Sequence, residues 1–193
     1  MSSTSTESSG RAEPAIRVVG IGASAGGLVP LEHFLAAVPA GSGMAYVVVQ
    51  HLDPTHETVL PELLQRETSM TVRKVEQDMR IEPDTVFVIP PDTELRIVDD
   101  HLSLSGIETR RGVRLPINIM FSSLASARGE QAIAVLLSGM GSDGTAGMQA
   151  IKAVGGLTLA QDPDTAQFDA MPRSAINAGA VDISLKRVSC LLG

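Results

Sequence analysis

The stretch IRVVGIGASAGG at residues 16–27 sets the pattern for the rest of the chain. An apolar run rich in β-branched residues leads into glycines that surround one serine, Ser24, and an apolar helical pattern begins at Leu28. Glycine tolerates positive φ and the close approach of other groups. The stretch therefore predicts a strand, a sharp turn and a helix, with the Ser24 hydroxyl just past the carboxyl end of the strand.

Outward from this stretch, apolar runs alternate with helical patterns. The continuous apolar run at 45–50 is typical of a strand buried on both faces of a parallel sheet. Between 72 and 104, short strand-like pieces separated by Asp- and Pro-rich turns predict hairpins that extend the sheet in antiparallel fashion. We expect strands at 16–21, 45–50, 132–138 and 157–160, an edge strand at 181–183, and helices at 28–38, 57–68, 116–128, 145–154 and 172–178.

These elements predict an α/β fold: a doubly wound, mostly parallel sheet with helices on both faces and an antiparallel β-hairpin insertion. The 193 residues suit one domain. We expect residues 1–14, rich in Ser, Thr and Glu, to be a disordered leader, and residues 15–193 to form the domain.

The charge, the cysteine content and the lengths of the apolar runs argue against several classes of protein. The formal net charge of −7, without a dense basic run, argues against a nucleic-acid partner. Cys190 is the single cysteine, so no internal disulfide is expected. No apolar run reaches the ~18 residues of a membrane span, and no apolar signal core opens the chain. A cytoplasmic location without membrane insertion is expected by default.

Residues Gly22–Gly26 fit G-x-S-x-G, the nucleophile elbow of serine hydrolases. A serine nucleophile needs a base, and the base needs an orienting acid. Of the four histidines, only His51 directly follows a predicted buried strand, whereas His33, His56 and His101 are expected at the surface. Asp143 follows another predicted strand inside the glycine-rich turn 139–144. The pattern favours Ser24, His51 and Asp143, with weaker acid candidates at Asp53, Asp162, Asp164 and Asp169.

A competing interpretation is a dinucleotide site, since Gly20–Ala25 also fits the relaxed fingerprint G-x-G-x-x-A. That site expects an acid at the end of the second strand, where Gln50-His51 stands and Asp53 comes two residues too late. The loop 139–147 lacks a P-loop lysine, and no two histidines have metal-ligand spacing on a helix. We expect no metal and no cofactor, but from the residues alone a triad and a non-catalytic nucleotide-binding or scaffold module both stay open.

Four separated motifs resemble a known family. Their order along the chain is Gly22–Gly27, Gln50-His51, Gly139–Gly144 and Met171-Pro172-Arg173, and together they look like the catalytic domain of the chemotaxis protein-glutamate methylesterase CheB. The resemblance covers about residues 16–183 and is closest to versions joined to a methyltransferase, as Arg114–Asn118 suggests.

The resemblance implies roles for these residues. Ser24 would be the nucleophile, His51 the general base and then acid, and Asp143 the acid that orients His51, while the backbone N–H groups of Ala25 and Met140 would form the oxyanion hole. The substrates would be glutamate γ-methyl esters on the cytoplasmic helices of chemoreceptors, with methanol released, and receptor glutamines for deamidation. A fused or separate methyltransferase or sensory domain is the further partner implied. Family members often have Thr where Ala25 stands, which implies weaker activity or deamidation here.

Overall fold

The computed structural model describes residues 16–51, 59–106 and 115–186. The expected leader, Asp53, His56 and Cys190 lie outside the described residues. Among the helices that are described, none is long and apolar enough to cross a membrane.

A seven-stranded sheet forms the centre of the fold, and every strand pairing in it is parallel. Its spatial order is β10-β9-β8-β1-β2-β5-β3. The strands are β1 (Val18–Ala23), β2 (Ala45–Gln50), β3 (Thr71–Lys74), β5 (Thr85–Val88), β8 (Ala132–Leu136), β9 (Leu157–Gln161) and β10 (Ile183–Leu185). The strand β1 is central because β2 lies on one side of it and β8 on the other.

Within the described ranges, five α-helices cover both faces of this sheet, and each face has its own apolar core. One core contains residues of α1 and α2, and the other contains residues of α3, α4 and α5. The helices are α1 (Leu28–Ala37), α2 (Leu60–Glu67), α3 (Pro116–Arg128), α4 (Thr145–Ala153) and α5 (Ala170–Asn177). The predicted α/β class with helices on both faces is confirmed.

The middle of the chain differs from the expectation. Residues 71–74 and 85–88 are not hairpin strands, because they pair in parallel within the main sheet. The antiparallel insertion is instead a separate sheet of order β4-β7-β6, built from β4 (Met79–Arg80), β6 (Thr93–Val98) and β7 (His101–Gly106). Short apolar runs reveal which face is buried but not which sheet a strand joins. The inward residues Leu95, Ile97 and Leu102 share a core with α3, so α3 rather than a sheet edge holds this insertion.

The predicted element bounds shift by a few residues. The strand β1 runs over Val18–Ala23 instead of 16–21, and β10 over Ile183–Leu185 instead of 181–183. The helix α5 starts at Ala170, two residues before the proline that was expected to open it. Helix α3 begins at Pro116 and ends at Arg128, as predicted.

Two glycines of β1 allow α3 to lie directly over the central strand. A Cβ placed on Gly20 would lie 2.9 Å from Met120 Sδ, and one on Gly22 would lie 2.4 Å from Ile117 Cγ2. Contacts this short do not occur for real Cβ atoms, so a larger residue at either position would require the facing α3 side chains or the helix itself to shift. The glycines therefore set the height of α3 above the sheet and fix where its N-terminus ends up.

Candidate active site

Three polar side chains meet at the carboxyl edge of the sheet. Ser24 directly follows β1, His51 follows β2, and Asp143 lies in the loop after β8. These three strands are adjacent, with β1 in the middle. In open α/β sheets this edge, where the strand order reverses, is where ligands bind.

Hydrogen bonds connect the three side chains in series. Ser24 Oγ lies 3.4 Å from His51 Nδ1, and His51 Nε2 lies 2.9 Å from Asp143 Oδ2. A neutral imidazole carries one N–H, and the carboxylate at Nε2 can only accept. The proton of neutral His51 is therefore assigned to Nε2, which leaves the lone pair of Nδ1 facing the Ser24 hydroxyl. His51 is 34% exposed and Asp143 only 3%, so the series runs from an open end to a buried one.

Asp143 is anchored by the N-terminus of α3. Its Oδ2 accepts from the Ile117 N–H at 3.0 Å, and its Oδ1 accepts from the Asn118 N–H at 2.9 Å and the Gly144 N–H at 2.8 Å. The residue before the helix, Leu115, provides no side-chain cap. The carboxylate thus takes the place of a cap, at the end of the helix where a negative charge is favoured.

The backbone around Ser24 is held from both neighbouring strands. The Ser24 N–H donates to Ser138 O at 3.0 Å, and the His51 N–H donates to Ala23 O at 3.1 Å. A Cβ on Gly139 would lie 2.8 Å from Ser24 Cβ and 2.2 Å from Met171 Sδ. Only glycine at position 139 lets the loop after β8 pass this close to the serine.

The two residues expected to provide an oxyanion hole flank this contact. Ala25 follows Ser24, and Met140 follows Gly139. Within the part of the chain that the structure describes, neither the Ala25 N–H nor the Met140 N–H donates a hydrogen bond. The Met140 side chain is 61% exposed at the rim of the site. Both N–H groups are thus without an acceptor among the described residues.

A cleft of about 200 Å³ opens next to His51. Its walls include Pro90 and Pro91 from the segment after β5, and Leu115 and Pro116 from the start of α3. The imidazole therefore lies between Ser24 on one side and an open cleft on another.

The other acid and histidine candidates lie in local structure elsewhere. Asp162 accepts the N–H of Asp164 at 3.0 Å within a short 3₁₀ turn, and Asp169 pairs with Arg173 at 2.7 Å. This ion pair raises the pKa of the Arg173 guanidinium. His33 is exposed on α1, whereas His101, also expected at the surface, begins β7 and is half-buried.

The nucleotide-binding interpretation is not favoured by the packing of its glycines. Gly20 and Gly22 of the fingerprint face α3 side chains, as described above, and are not turned toward a ligand. Gly26, with φ of +68°, lies in the turn itself, but it is outside the fingerprint residues Gly20–Ala25. In the described ranges, no three His, Cys, Asp or Glu side chains are grouped to hold a metal ion.

Sequence reasoning did not anticipate the groups that support these side chains. The N–H donors to Asp143 and the buried side chains of Ser138 and Gln161 were not predicted. Pro116 was a signal for one part of this support, because proline is common at the first position of a helix and so marks where the free N–H groups of α3 lie. Nothing in the residue order indicated that this start would face Asp143.

A family model and a solved structure both match most of this chain. A family model described as CheB methylesterase matches residues 19–189. The crystal structure of the Thermotoga maritima CheB methylesterase catalytic domain superposes with a TM-score of 0.83 at 27% identity, and the match covers 93% of this chain and 96% of that one.

Two curated relatives are similar in sequence. An uncharacterized 104.1 kDa protein of Rhodobacter capsulatus is 50% identical over 123 residues, which make up 64% of this chain and 13% of that protein. A protein named protein-glutamate methylesterase/protein-glutamine glutaminase from Photorhabdus laumondii is 33% identical over 170 residues, which make up 86% of this chain and 48% of that protein. The chain thus spans a small part of the first relative and about half of the second.

Proposed function

This chain belongs to the CheB methylesterase family, and we propose that it is a serine hydrolase that demethylates glutamate γ-methyl esters of chemoreceptors. The observation that carries the proposal is the hydrogen-bonded series Ser24–His51–Asp143 at the carboxyl edge of the sheet. The name of the Photorhabdus relative supports the ester as substrate.

In the proposed acylation step, Ser24 Oγ attacks the ester carbonyl carbon while its proton passes to His51 Nδ1. The carbonyl π electrons move onto oxygen, and the N–H groups of Ala25 and Met140 donate to the oxyanion. Asp143 stabilises the imidazolium through Nε2 and keeps the ring oriented. The Ser24–His51 distance of 3.4 Å is long for a hydrogen bond, as is common in unliganded active sites, and shortens when substrate binds.

The tetrahedral intermediate then collapses. The bond between the carbonyl carbon and the methoxy oxygen breaks, the proton on His51 Nδ1 moves to that oxygen, and methanol leaves. A water molecule attacks the resulting acyl-enzyme in the same way, with His51 again taking and returning the proton. The products are a glutamate side chain and free Ser24.

A second reaction of the same site is deamidation of receptor glutamines, with ammonia in place of methanol as the leaving group. It is supported by the second half of the name of the Photorhabdus relative. The acyl-enzyme is identical in both reactions, so only the first step differs.

The proposed partners are the cytoplasmic helices of methylated chemoreceptors, which places the chain in the cytoplasm. A fused or separate methyltransferase or sensory domain is a further proposed partner. On the Ser24 side of the sheet, exposed apolar side chains lie, among the described residues, at helix starts and in a loop: Val29, Val59 and Met140. They offer a contact surface for the receptor.

The function is tested by methanol release from methylated chemoreceptor. The Ser24→Ala variant is expected to release none above background, while the Ser122→Ala variant, altered at an exposed serine of α3, is expected to match the unmodified chain. Equal release by the chain and its Ser24→Ala variant would contradict the proposal. Labelling of Ser24 by a fluorophosphonate, followed by peptide mass analysis, tests the nucleophile independently of the substrate.

A further inference from the structure

A buried polar cluster lies beneath the serine turn and takes no direct part in the proposed reaction. It is formed by Ser138, which is 0% exposed, and Gln161, which is 4% exposed. Neither side chain hydrogen-bonds to the side chain of Ser24, His51 or Asp143 in the described structure. Buried polar groups in an otherwise aliphatic core are costly unless they are fully hydrogen-bonded.

Ser138 holds the chain on both sides of the Ala25 N–H. Its carbonyl oxygen accepts from the Ser24 N–H at 3.0 Å, and its hydroxyl donates to Ala25 O at 2.9 Å. The hydroxyl also lies 3.3 Å from Phe168 O, but its one proton has the shorter path to Ala25. The Ala25 N–H shares its peptide group with Ser24 O, which accepts from the Gly27 N–H at 3.0 Å, so its direction is fixed between the two groups that Ser138 holds.

Ser138 is also hydrogen-bonded to β9 and to the loop that follows β9. Its N–H donates to Gln161 Oε1 at 3.0 Å, and its hydroxyl accepts from the Phe168 N–H at 3.0 Å. Gln161 Nε2 in turn donates to Thr165 O at 3.1 Å. The N–H of Ser138 and its hydroxyl oxygen, as an acceptor, are thus both tied to this region of the chain.

The second expected oxyanion donor, the Met140 N–H, lies two residues after Ser138 along the chain. The Gly139 N–H donates to Phe168 O at 3.0 Å, and Gly139 O accepts from the Met171 N–H at 3.0 Å. The Met140 N–H belongs to the same peptide group as Gly139 O, so the bond from Met171 also orients it. The positions of both proposed donors therefore depend on the loop contacts that Ser138 joins.

We propose that Ser138 is a positioning residue, which sets the directions of the Ala25 and Met140 N–H groups relative to Ser24 Oγ. This inference rests on the proposed function and adds a residue that never touches the substrate. The fit is close, because a Cβ on Gly26 would lie only 2.9 Å from Ser138 Oγ. Without the hydroxyl, Ala25 O and the Phe168 N–H both lose a partner, and Ser138 holds the turn only through its backbone bond to Ser24.

The Ser138→Ala variant tests the proposal, with Thr158→Val as the matched control. Thr158 lies in β9, outside the active site, and is also 0% exposed. Its hydroxyl donates to Asp182 Oδ2 at 2.8 Å. A small misplacement of catalytic groups costs on the order of 10²-fold in rate. We expect Ser138→Ala to lower kcat by about that factor with KM within a few-fold, Ser138→Thr to restore most of kcat, and Thr158→Val to keep kcat while lowering the melting temperature.

Wild-type kcat in Ser138→Ala would overturn the proposal, as would an equal loss of kcat in Thr158→Val, because that loss would be general destabilisation. Should the alanine variant fail to fold, Ser138→Cys keeps a γ atom, larger than oxygen, that is only a weak donor. It is expected to show the same loss of kcat, and a folded cysteine variant with wild-type kcat overturns the proposal.

Fluorophosphonate labelling of Ser24 separates this inference from the choice of substrate. If the unmodified chain is labelled but releases no methanol, the proposed substrate is wrong, and the labelling rate then takes the place of kcat. Slower labelling of Ser138→Ala than of Thr158→Val supports the positioning role, and equal rates overturn it. An unmodified chain that is never labelled overturns the proposed function and this inference together.

Discussion

The Ile117 N–H donates to Asp143 Oδ2 at 3.0 Å, the same oxygen that faces His51 Nε2 at 2.9 Å. The first turn of α3 and the imidazole therefore share one carboxylate oxygen. This arrangement couples a helix end, normally a matter of stability, to the orientation of the proposed general base.

The Asp143→Asn variant is expected to lose both activity and stability. An amide cannot accept from Ile117 and Asn118 on both of its atoms, because its NH₂ group would face an N–H donor. We expect kcat to fall by about 10⁴-fold, as for the corresponding change in other triads, and the free energy of unfolding to fall by about 1–3 kcal/mol. Methanol release and thermal unfolding measure the two effects.

The control for Asp143→Asn is Asp164→Asn, which removes a charge from an exposed residue. This variant is expected to change neither kcat nor the free energy of unfolding appreciably. An Asp143→Asn variant with near-normal kcat would show that Asp143 does not orient His51 during turnover.

Arg128 is expected to contribute to stability far more than its ion pair alone suggests. It donates to Asp99 O and to Asp100 Oδ1, both at 2.8 Å, and its side chain is only 5% exposed while that of Asp100 is 57% exposed. It thus ties the turn between β6 and β7 to the end of α3. Arg128→Ala removes the buried stem and both bonds, so it should lower the free energy of unfolding by about 2–4 kcal/mol.

Asp100→Ala is the matched control for this prediction, because it removes the exposed partner and leaves Arg128 bonded to Asp99 O. A loss of less than about 1 kcal/mol is expected in urea unfolding. Equal losses for the two variants would mean that the ion pair, and not the buried stem, carries the effect.

Asp182 makes the stability depend on pH in the acid range. Its pKa is lowered chiefly by the hydrogen bond from Lys152 Nζ at 2.7 Å, and further by the Thr158 hydroxyl. A carboxyl whose pKa is lowered on folding adds stability above its unfolded pKa of about 3.9, and this stability is lost as the pH falls through the folded value. Asp182→Asn should therefore unfold at a lower temperature at pH 7, and the difference should shrink toward zero under strong acid. A difference independent of pH would contradict this.

The location of the candidate site could be predicted from the sequence, but its support could not. Ser24, His51 and Asp143 each follow an apolar run, and parallel strands end at the same edge, so their proximity follows from local patterns. Which nitrogen of His51 faces Ser24 depends on a rotamer that no pattern encodes. The roles of these residues, and of the Ala25 and Met140 N–H groups, stay predictions.

The misassigned strands show where local patterns stop being informative. The run at 85–88 is buried at every position and belongs between β2 and β3, whereas 93–98 alternates and belongs to a separate sheet. Both look like short strands in sequence, and what distinguishes them are contacts distant along the chain: β5 pairs with β2, whereas β6 packs against α3. The same is true of Ser138, whose partners come from three separate segments.

Gly22→Ala is expected to damage the active site from within the core. The added Cβ would lie 2.4 Å from Ile117 Cγ2, so the start of α3 must move outward and carry the Ile117 N–H away from Asp143. Overpacking of this kind costs about 1–3 kcal/mol in stability. We expect kcat to fall as well, although residue 22 touches no substrate. The control is Gly106→Ala, where the Cβ would meet no atom of the described residues within 4 Å and the backbone φ is not positive. Gly22→Ala with lowered stability but unchanged kcat would mean that the position of α3 is not coupled to His51.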